Sequence, residues 1–341
     1  MKKTRFRRNA AAVLGLAGAV TGASAQVGAQ VDDSANGNLP QGAKPTSWDV
    51  HYNVCRGVDP GCYHDWAASS RQNKVLLFTR TAGPRHANLG PKLAAGLNPP
   101  LVAGNVLQNA LIAWLGAEGI AVDYTEDVTQ LSALSRNTYK AVIFASNSRD
   151  ALWAHGRAVD PTLAVNTTTS AYLDQGKVYL RQYIRAGGGF VAIHNAFGTE
   201  YNWPYYEGLL GNANYYDHGS FQNGTVQIVA PSDSSTNGLP VRWGFKDEWY
   251  NLVPFPTNVK FLATVDDNTL AVQHGIDPGN PRFHPVAWCQ YYDGGRAWLT
   301  TLGHDAGGFT DGSGFPGQAQ FKQMIVHGIK SAMGLEPFCT K

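Results

Sequence analysis

The chain of 341 residues has few charged side chains and only four cysteines. Charged residues make up 15% of the chain, and no block rich in lysine or arginine follows the first eight residues, which argues against nucleic acid as a partner. No apolar stretch reaches the roughly 20 residues that cross a bilayer, so no membrane anchor is expected. The cysteines also lack the paired spacing of a zinc site.

The first 25 residues have the pattern of a secretory signal peptide. Five basic residues precede an apolar run at 10–20, and the small residues at 23–25 suit a signal peptidase. We therefore expect cleavage before Gln26 and a periplasmic or secreted protein. Without the leader, the formal net charge of +2 becomes about −3. Residues 26–45 are rich in Gly, Ser, Asp and Pro and are predicted to be a disordered linker.

Residues 46–73 are predicted to form an N-terminal arm attached to the folded body. Cys55 and Cys62 bracket the turn-forming segment RGVDPG, which favours a local disulfide in an oxidising compartment. The alternative is that one of them pairs with Cys339. Cys289 lies within an apolar strand pattern and is predicted to be a buried, inert thiol.

From residue 74 onwards, short apolar runs alternate with helical patterns. This rhythm predicts an α/β fold with a doubly wound, mostly parallel sheet of the flavodoxin type. The predicted parallel strands are 75–78, 120–124, 141–145 and 190–193, and the predicted helices are 105–115 and 177–185. Strands at 225–229, 259–262, 286–291 and 296–302 predict an antiparallel β extension and a last strand that returns to the main sheet, before a closing helix at 318–332.

Three histidines follow strands of this predicted sheet. Ligands of open parallel sheets bind at the carboxyl ends of the strands, where the loops carrying His86, His194 and His304 should meet. Another strand ends at this edge in Ser146-Asn147. His194 is interpreted as a general acid or base, as a ligand of a divalent metal together with His86 and His304, or as a histidine that only stabilises its loop. His86 fits a surface position equally well.

The order of several motifs resembles the ThuA-like (trehalose-utilisation) family over residues 74–334. These motifs are TRTAGPRH, AGGGFVAIHNAFGTEYNWPYYEGLLG, DEWYN and HPVAWCQYYDGGRAWLTTLGH. The resemblance implies a fold similar to class I glutamine amidotransferases and a role with trehalose or related disaccharides, including keto-sugars. In those amidotransferases a nucleophilic cysteine follows the corresponding strand. Here Ile193-His194-Asn195 stands in that place, which argues against amidotransfer.

The DEWYN motif supplies a carboxylate for the same region. On a strand, Asp247 and Glu248 face opposite sides, so only one of them can enter a site. We expect this to be Glu248, with Tyr250 on the same face as a surface for a sugar ring. The alternative is a solvated turn beside a tryptophan of the core.

Further aromatic and polar residues are candidates for binding substrate. Trp203 and Tyr206 are predicted to wall the pocket, although they could instead pack to hold a long loop. His218 and Gln222 lie in a segment that resembles the family, but Gly219 stands where the family usually has proline.

The sequence therefore predicts an exported carbohydrate-active protein that acts on a disaccharide or keto-glycoside. The predicted chemistry is acid–base catalysis without a cysteine or serine nucleophile, as an isomerase, a lyase or a hydrolase. The predicted catalytic residues are His86, His194, Glu248 and His304. The alternatives are a non-catalytic carbohydrate-binding module and a structural domain of the cell envelope.

Overall fold

The computed structural model describes residues 47–153, 175–271 and 283–339. The predicted signal peptide and linker lie outside the described residues. Within the described ranges, no helix combines the length and the apolar character that crossing a membrane requires.

The chain alternates strands and helices up to residue 193 and is rich in strands afterwards. The strands are β1 (Trp48–Asp49), β2 (Val54–Gly57), β3 (Lys74–Phe78), β4 (Ala121–Thr125), β5 (Ala141–Ala145), β6 (Gly189–Ile193), β7 (Tyr215–His218), β8 (Gln222–Ile228), β9 (Arg242–Asp247), β10 (Tyr250–Leu252), β11 (Lys260–Val265), β12 (His284–Tyr292) and β13 (Gly295–Thr300). The α-helices are α1 (Val106–Ala117), α2 (Gln175–Arg185), α3 (Pro204–Leu209) and α4 (Gln318–Ala332).

The main sheet has a parallel half and an antiparallel half. Its strand order is β4-β3-β5-β6-β13-β12-β11-β8-β9. The first five strands in this order are mutually parallel, and each later neighbour is antiparallel. The predicted doubly wound sheet with an antiparallel extension is thus confirmed, and β13 returns beside β6 as expected.

Helices cover both faces of the parallel half, which explains why its strands are continuous apolar runs. Along β3, Leu77 belongs to the core beneath α1 and α4, whereas Leu76 and Phe78 belong to the core beneath α2 and α3. Because successive side chains of a strand point to opposite faces, one short run supplies both cores. The carboxyl ends of these strands remain free of the helices and carry the loops described below.

The arm is joined to the main sheet through β2, which pairs with β12. The predicted Cys55–Cys62 disulfide is present. The prediction of a free thiol at Cys289 is wrong, because Cys289 on β12 forms a disulfide with Cys339. The chain beyond α4 packs against the same face of β12, where Phe338 contacts the ring of Tyr291 at 5.1 Å, and this packing brings the second cysteine within reach.

A small second sheet lies beside the carboxyl edge of the main sheet. It consists of β7 and β10, which pair antiparallel with Tyr250 opposite His218. Neither strand was predicted. The pairing matters for function because it sets Tyr250 and His218 next to Glu248, which lies two residues before the start of β10.

Candidate functional site

His194 directly follows β6 and is fully buried in a strained backbone conformation. Its φ is 54°, in the left-handed region that residues other than glycine adopt rarely. Its Nδ1 lies 2.9 Å from the carbonyl oxygen of Thr301. A carbonyl can only accept, so Nδ1 carries the proton of the neutral ring and Nε2 is the nitrogen that accepts hydrogen bonds. Burial, followed by the nearby His86, holds the pKa of His194 well below its usual value.

His86 comes from the loop after β3 and faces His194. The two Nε2 atoms are 3.2 Å apart. Burial, followed by the charge of His304, lowers the pKa of His86 to about 4, so the ring is neutral at pH 7. Asn88 fixes this loop to the loop after β13, because its Nδ2 donates to the carbonyl oxygens of Gly303 at 2.8 Å and His304 at 3.1 Å.

Glu248 and His304 form the other half of the cluster. Glu248 Oε2 lies 3.0 Å from His304 Nδ1 and 3.8 Å from His194 Nε2. Burial disfavours both charges, but the contact between the two groups outweighs burial. It lowers the pKa of Glu248 and raises the pKa of His304. This partly buried contact brings a carboxylate to the two neutral imidazoles.

Asp247 faces away from the cluster and holds its backbone. Its Oδ2 accepts from the Gly303 amide at 2.7 Å, and its Oδ1 accepts from the Glu248 amide at 2.8 Å. Burial raises the pKa of Asp247 to about 7 against the effect of these donors. The side chains of Asp247 and Glu248 therefore point to opposite sides, as expected for the DEWYN motif. Glu248 lies in the cluster and Asp247 lies behind it.

Tyr250 and His218 extend the cluster toward solvent. The hydroxyl of Tyr250 lies 2.9 Å from His194 Nε2, and the two rings stack with centroids 4.7 Å apart. Burial, followed by the charge of Glu248, raises the pKa of Tyr250 well above its usual value, so the phenol keeps its proton. His218 Nε2 lies 3.6 Å from Glu248 Oε1.

The donor groups of His86, His194, Glu248 and His304 converge on one point. One ligand atom from each lies within 4.8 Å of the others. In a tetrahedral zinc site with bonds of about 2.0–2.1 Å, neighbouring ligand atoms are about 3.3 Å apart. Three of the six separations, 3.2, 3.0 and 3.8 Å, are close to that value, and the others are no longer than 4.8 Å. Three imidazoles and a carboxylate are also ligands that zinc prefers, so these residues fit a divalent metal ion.

A cavity of about 190 Å³ opens beside the cluster. Tyr250 and His218 line it, in agreement with their expected positions. Its lining residues are Pro84, His86, Ser148, Arg149, Asn195, Gly198, Tyr201, Tyr215, His218, Glu248 and Tyr250.

Three residues expected to bind substrate do not line this cavity. Tyr206 is fully buried on α3, and its hydroxyl donates to the carbonyl of Ala196, so the prediction of a pocket wall is wrong. Trp203 stacks on Tyr205 and holds the loop before α3, which was the alternative interpretation. Gln222 lies at the start of β8, where its carbonyl accepts from the indole of the core residue Trp249.

Residues 74–331 match the sequence profile of the family described as "ThuA: Trehalose utilisation". The chain belongs to the ThuA family. The resemblance predicted from the motifs is thereby confirmed, and with it a fold like that of class I glutamine amidotransferases and a carbohydrate-related role for the family.

Two solved structures of ThuA-like proteins share this fold. One, from Bacteroides uniformis, is 16% identical with a TM-score of 0.51, and the alignment covers 78% of this chain and 92% of that one. The other, from Parabacteroides merdae, is 17% identical with a TM-score of 0.51, and the alignment covers 80% and 93%. No curated protein matches the sequence closely enough to count as a relative.

Several residues of the site were missed at the level of sequence. Arg149 lies in the turn after β5. The sequence predicted that this loop lies at the carboxyl edge of the sheet, but Arg149 was not among the predicted site residues. Asn195, Tyr201 and Tyr215 line the cavity from the loops after β6 and at β7. The carbonyl of Thr301, which selects the tautomer of His194, is a backbone group and leaves no signal in the sequence.

Proposed function

We propose that this ThuA protein is an exported enzyme that acts on a disaccharide or a keto-glycoside at the cluster of His86, His194, Glu248 and His304. We further propose that this cluster binds a divalent transition metal such as Zn²⁺. The family supports a carbohydrate substrate, and the donor set supports the metal.

One observation carries the metal proposal: the unprotonated Nε2 of His194 points at the Nε2 of His86 from 3.2 Å. A histidine whose Nδ1 donates to a backbone carbonyl has the orientation and tautomer typical of a metal ligand. A histidine that only stabilised its loop would need no second imidazole and no carboxylate at this distance.

The residues of the chain can also position and protonate a sugar. A bound divalent ion would polarise a carbonyl oxygen or activate a water molecule. The hydroxyl of Tyr250, at the boundary between the cluster and the cavity, can donate to a substrate oxygen. His218 lines the cavity beside Glu248 Oε1, where its ring can form a hydrogen bond with a substrate hydroxyl. No cysteine or serine is required as a nucleophile.

A second candidate is acid–base catalysis without a metal. The observation that favours it is the 3.0 Å contact between Glu248 and His304, since this carboxylate stabilises the imidazolium form that acts as a general acid. Neutral His194 would then act as the base. Isomerisation, elimination and hydrolysis are all compatible with this pair.

The test is turnover of trehalose, related disaccharides and their keto derivatives, read by mass spectrometry. The mature protein is assayed as purified, after chelation, and after reloading with Zn²⁺, beside the His194→Gln variant. We expect a product that depends on added metal and on His194. Turnover that survives chelation would favour the acid–base candidate. Retention of sugars without turnover under any condition would favour a non-catalytic binding module.

Export is part of the proposal and rests on independent features. The first 25 residues have the pattern expected of a signal peptide, and the disulfides Cys55–Cys62 and Cys289–Cys339 are typical of oxidising compartments. Expression of the full chain in a Gram-negative host should yield a periplasmic or secreted protein that begins at Gln26. Accumulation of an uncleaved cytoplasmic chain would contradict export.

A further inference from the structure

A second cavity adjoins the first on the side away from the histidines. It measures about 460 Å³ and is lined by Arg149, Asp150, Tyr201, Asn202, Tyr215 and Tyr216. Arg149, Tyr201 and Tyr215 also line the cavity at the cluster, so the two spaces meet along these three side chains.

The sizes of the two cavities suggest a ligand that extends through both. Small-molecule sites typically measure roughly 300–1,000 Å³. The cavity at the cluster, at about 190 Å³, is below this range, whereas the second cavity, at about 460 Å³, lies within it. A ligand whose reacting group approaches the cluster would therefore place a second part against Tyr216 and Asn202.

The chemistry of the second cavity suits a neutral sugar ring. Tyr216 is 50% exposed, so its ring is available to the apolar face of a pyranose. Arg149 donates only hydrogen bonds and Asp150 only accepts them, a combination that hydroxyl groups satisfy. The carboxylate of Asp150 in the same cavity disfavours an anionic ligand. No ion pair involves Arg149 among the described residues.

The backbone fixes Arg149 at the junction of the two cavities. Its φ is 57°, and its amide donates to the carbonyl of Gly198 at 2.8 Å while its carbonyl accepts from Glu200 at 3.0 Å. Gly83 leaves room for the side chain, because a Cβ there would lie 2.4 Å from the Cγ of Arg149. The guanidinium carbon also lies 5.8 Å from the ring of Tyr201. The arginine is thus held in place by the loops after β3, β5 and β6.

We infer that this second cavity is a subsite for the second ring of a glycoside whose first ring occupies the cavity at the cluster, with Arg149 at the linkage between the rings. The inference rests on the proposed function and narrows its substrate class to glycosides with at least two rings. Tyr216 supplies the stacking surface, and Arg149 and Asp150 bind hydroxyl groups.

The experiment measures binding of glucose and of the glucose disaccharides trehalose, maltose and cellobiose by saturation-transfer NMR and calorimetry. We expect at least one disaccharide to bind about fivefold to tenfold more tightly than glucose, the range that one aromatic contact supplies. Tyr216→Ala should remove this difference and leave glucose binding unchanged. Trp66→Ala, which removes an exposed aromatic residue of the arm, is the matched control. It should change neither glucose binding nor the preference for the disaccharide.

Equal affinity of the native protein for glucose and every disaccharide, including no measurable binding of either, would overturn the subsite. A Tyr216→Ala variant that keeps the preference would overturn it as well. These outcomes are separate from a failure of the proposed function. A disaccharide preference lost in Tyr216→Ala supports the subsite even if no sugar is turned over, and turnover with an unchanged KM in Tyr216→Ala removes the subsite while leaving the reaction in place.

Discussion

The Nε2 atom of His194 lies 3.2 Å from the Nε2 atom of His86, and the carbonyl of Thr301 holds the proton of His194 on the other side of its ring. The resemblance to class I glutamine amidotransferases implies a nucleophile at the position after β6 in those enzymes. In this chain the strained turn at that position presents a ring nitrogen. One fold can thus serve different chemistry, because function depends on the residue that the turn presents.

Asp247→Asn should weaken zinc binding by about tenfold to a hundredfold, the usual effect of removing a group that orients metal ligands. Asp247 accepts from the Gly303 amide with one oxygen and from the Glu248 amide with the other. Asparagine has a single acceptor oxygen and cannot hold both amides, so the segments that carry Glu248 and His304 are no longer both fixed. The measurement is calorimetric titration with Zn²⁺. Asp65→Asn, a change of the same charge on the exposed arm, should bind zinc like the native protein. Unchanged affinity in Asp247→Asn would contradict the positioning role.

Tyr250→Phe should keep zinc but lower kcat by about a hundredfold, within the range for loss of a general acid. The ring continues to stack on His194, and only the hydroxyl that lies 2.9 Å from Nε2 is removed. The control is Tyr124→Phe, which removes a hydroxyl bound to the carbonyl of Pro99. If kcat falls less than twofold, the hydroxyl takes no part in the reaction.

Glu200 makes stability depend on pH. Burial raises the pKa of Glu200 to about 7 from a usual 4.5, against opposing contacts with the Leu152 amide and Lys177. A carboxyl whose pKa is higher in the folded state destabilises the fold as pH rises from 4.5 to 7, and the loss is complete above 7. Between pH 5 and pH 8, the free energy of unfolding of Glu200→Gln should therefore rise by about 2.5 kcal/mol relative to that of the native protein.

Urea unfolding of both proteins at the two pH values measures this gain. Glu118→Gln is the control. Contact with Lys330 lowers the pKa of Glu118, so this substitution should change the pH dependence of stability in the opposite direction. A Glu200→Gln variant with the same pH profile as the native protein would show that Glu200 is ionised in the fold at pH 5.

The two disulfides should differ in their effect on stability. Cys289 and Cys339 are separated by 50 residues, whereas Cys55 and Cys62 are separated by 7. Loop-closure entropy predicts a loss of about 4 kcal/mol when the first pair is replaced by serine and about 2 kcal/mol when the second is. Urea unfolding of the two double variants gives the comparison. A larger loss for the short loop would contradict the entropic account.

The parallel half of the fold was predictable because each of its strands is a short apolar run covered on both faces. The same topology placed His86, His194 and His304 at one edge, since the carboxyl ends of parallel strands meet there. Strand alternation limited the carboxylate of the site to one of Asp247 and Glu248, but it did not choose between them. These inferences needed only local pattern and general rules of sheet topology.

The parts that were missed depend on contacts distant in sequence. The strands β7 and β10 are too short to show a period, and their pairing is fixed by packing against the cluster. Tyr206 was predicted to line the pocket because its loop follows a strand that ends at the site. In the structure Tyr206 lies on α3, and its side chain points into the core. The partner of Cys289 lies 50 residues away, so no local pattern could reveal it.

Zinc titration of the metal-free mature protein tests the central claim most directly. We predict one zinc ion per chain, with affinity reduced at least tenfold in His194→Gln and unchanged in His51→Gln, a histidine exposed on the arm. Zinc that binds equally to the native protein and to His194→Gln, or no zinc binding to the native protein, would contradict a metal site at this cluster.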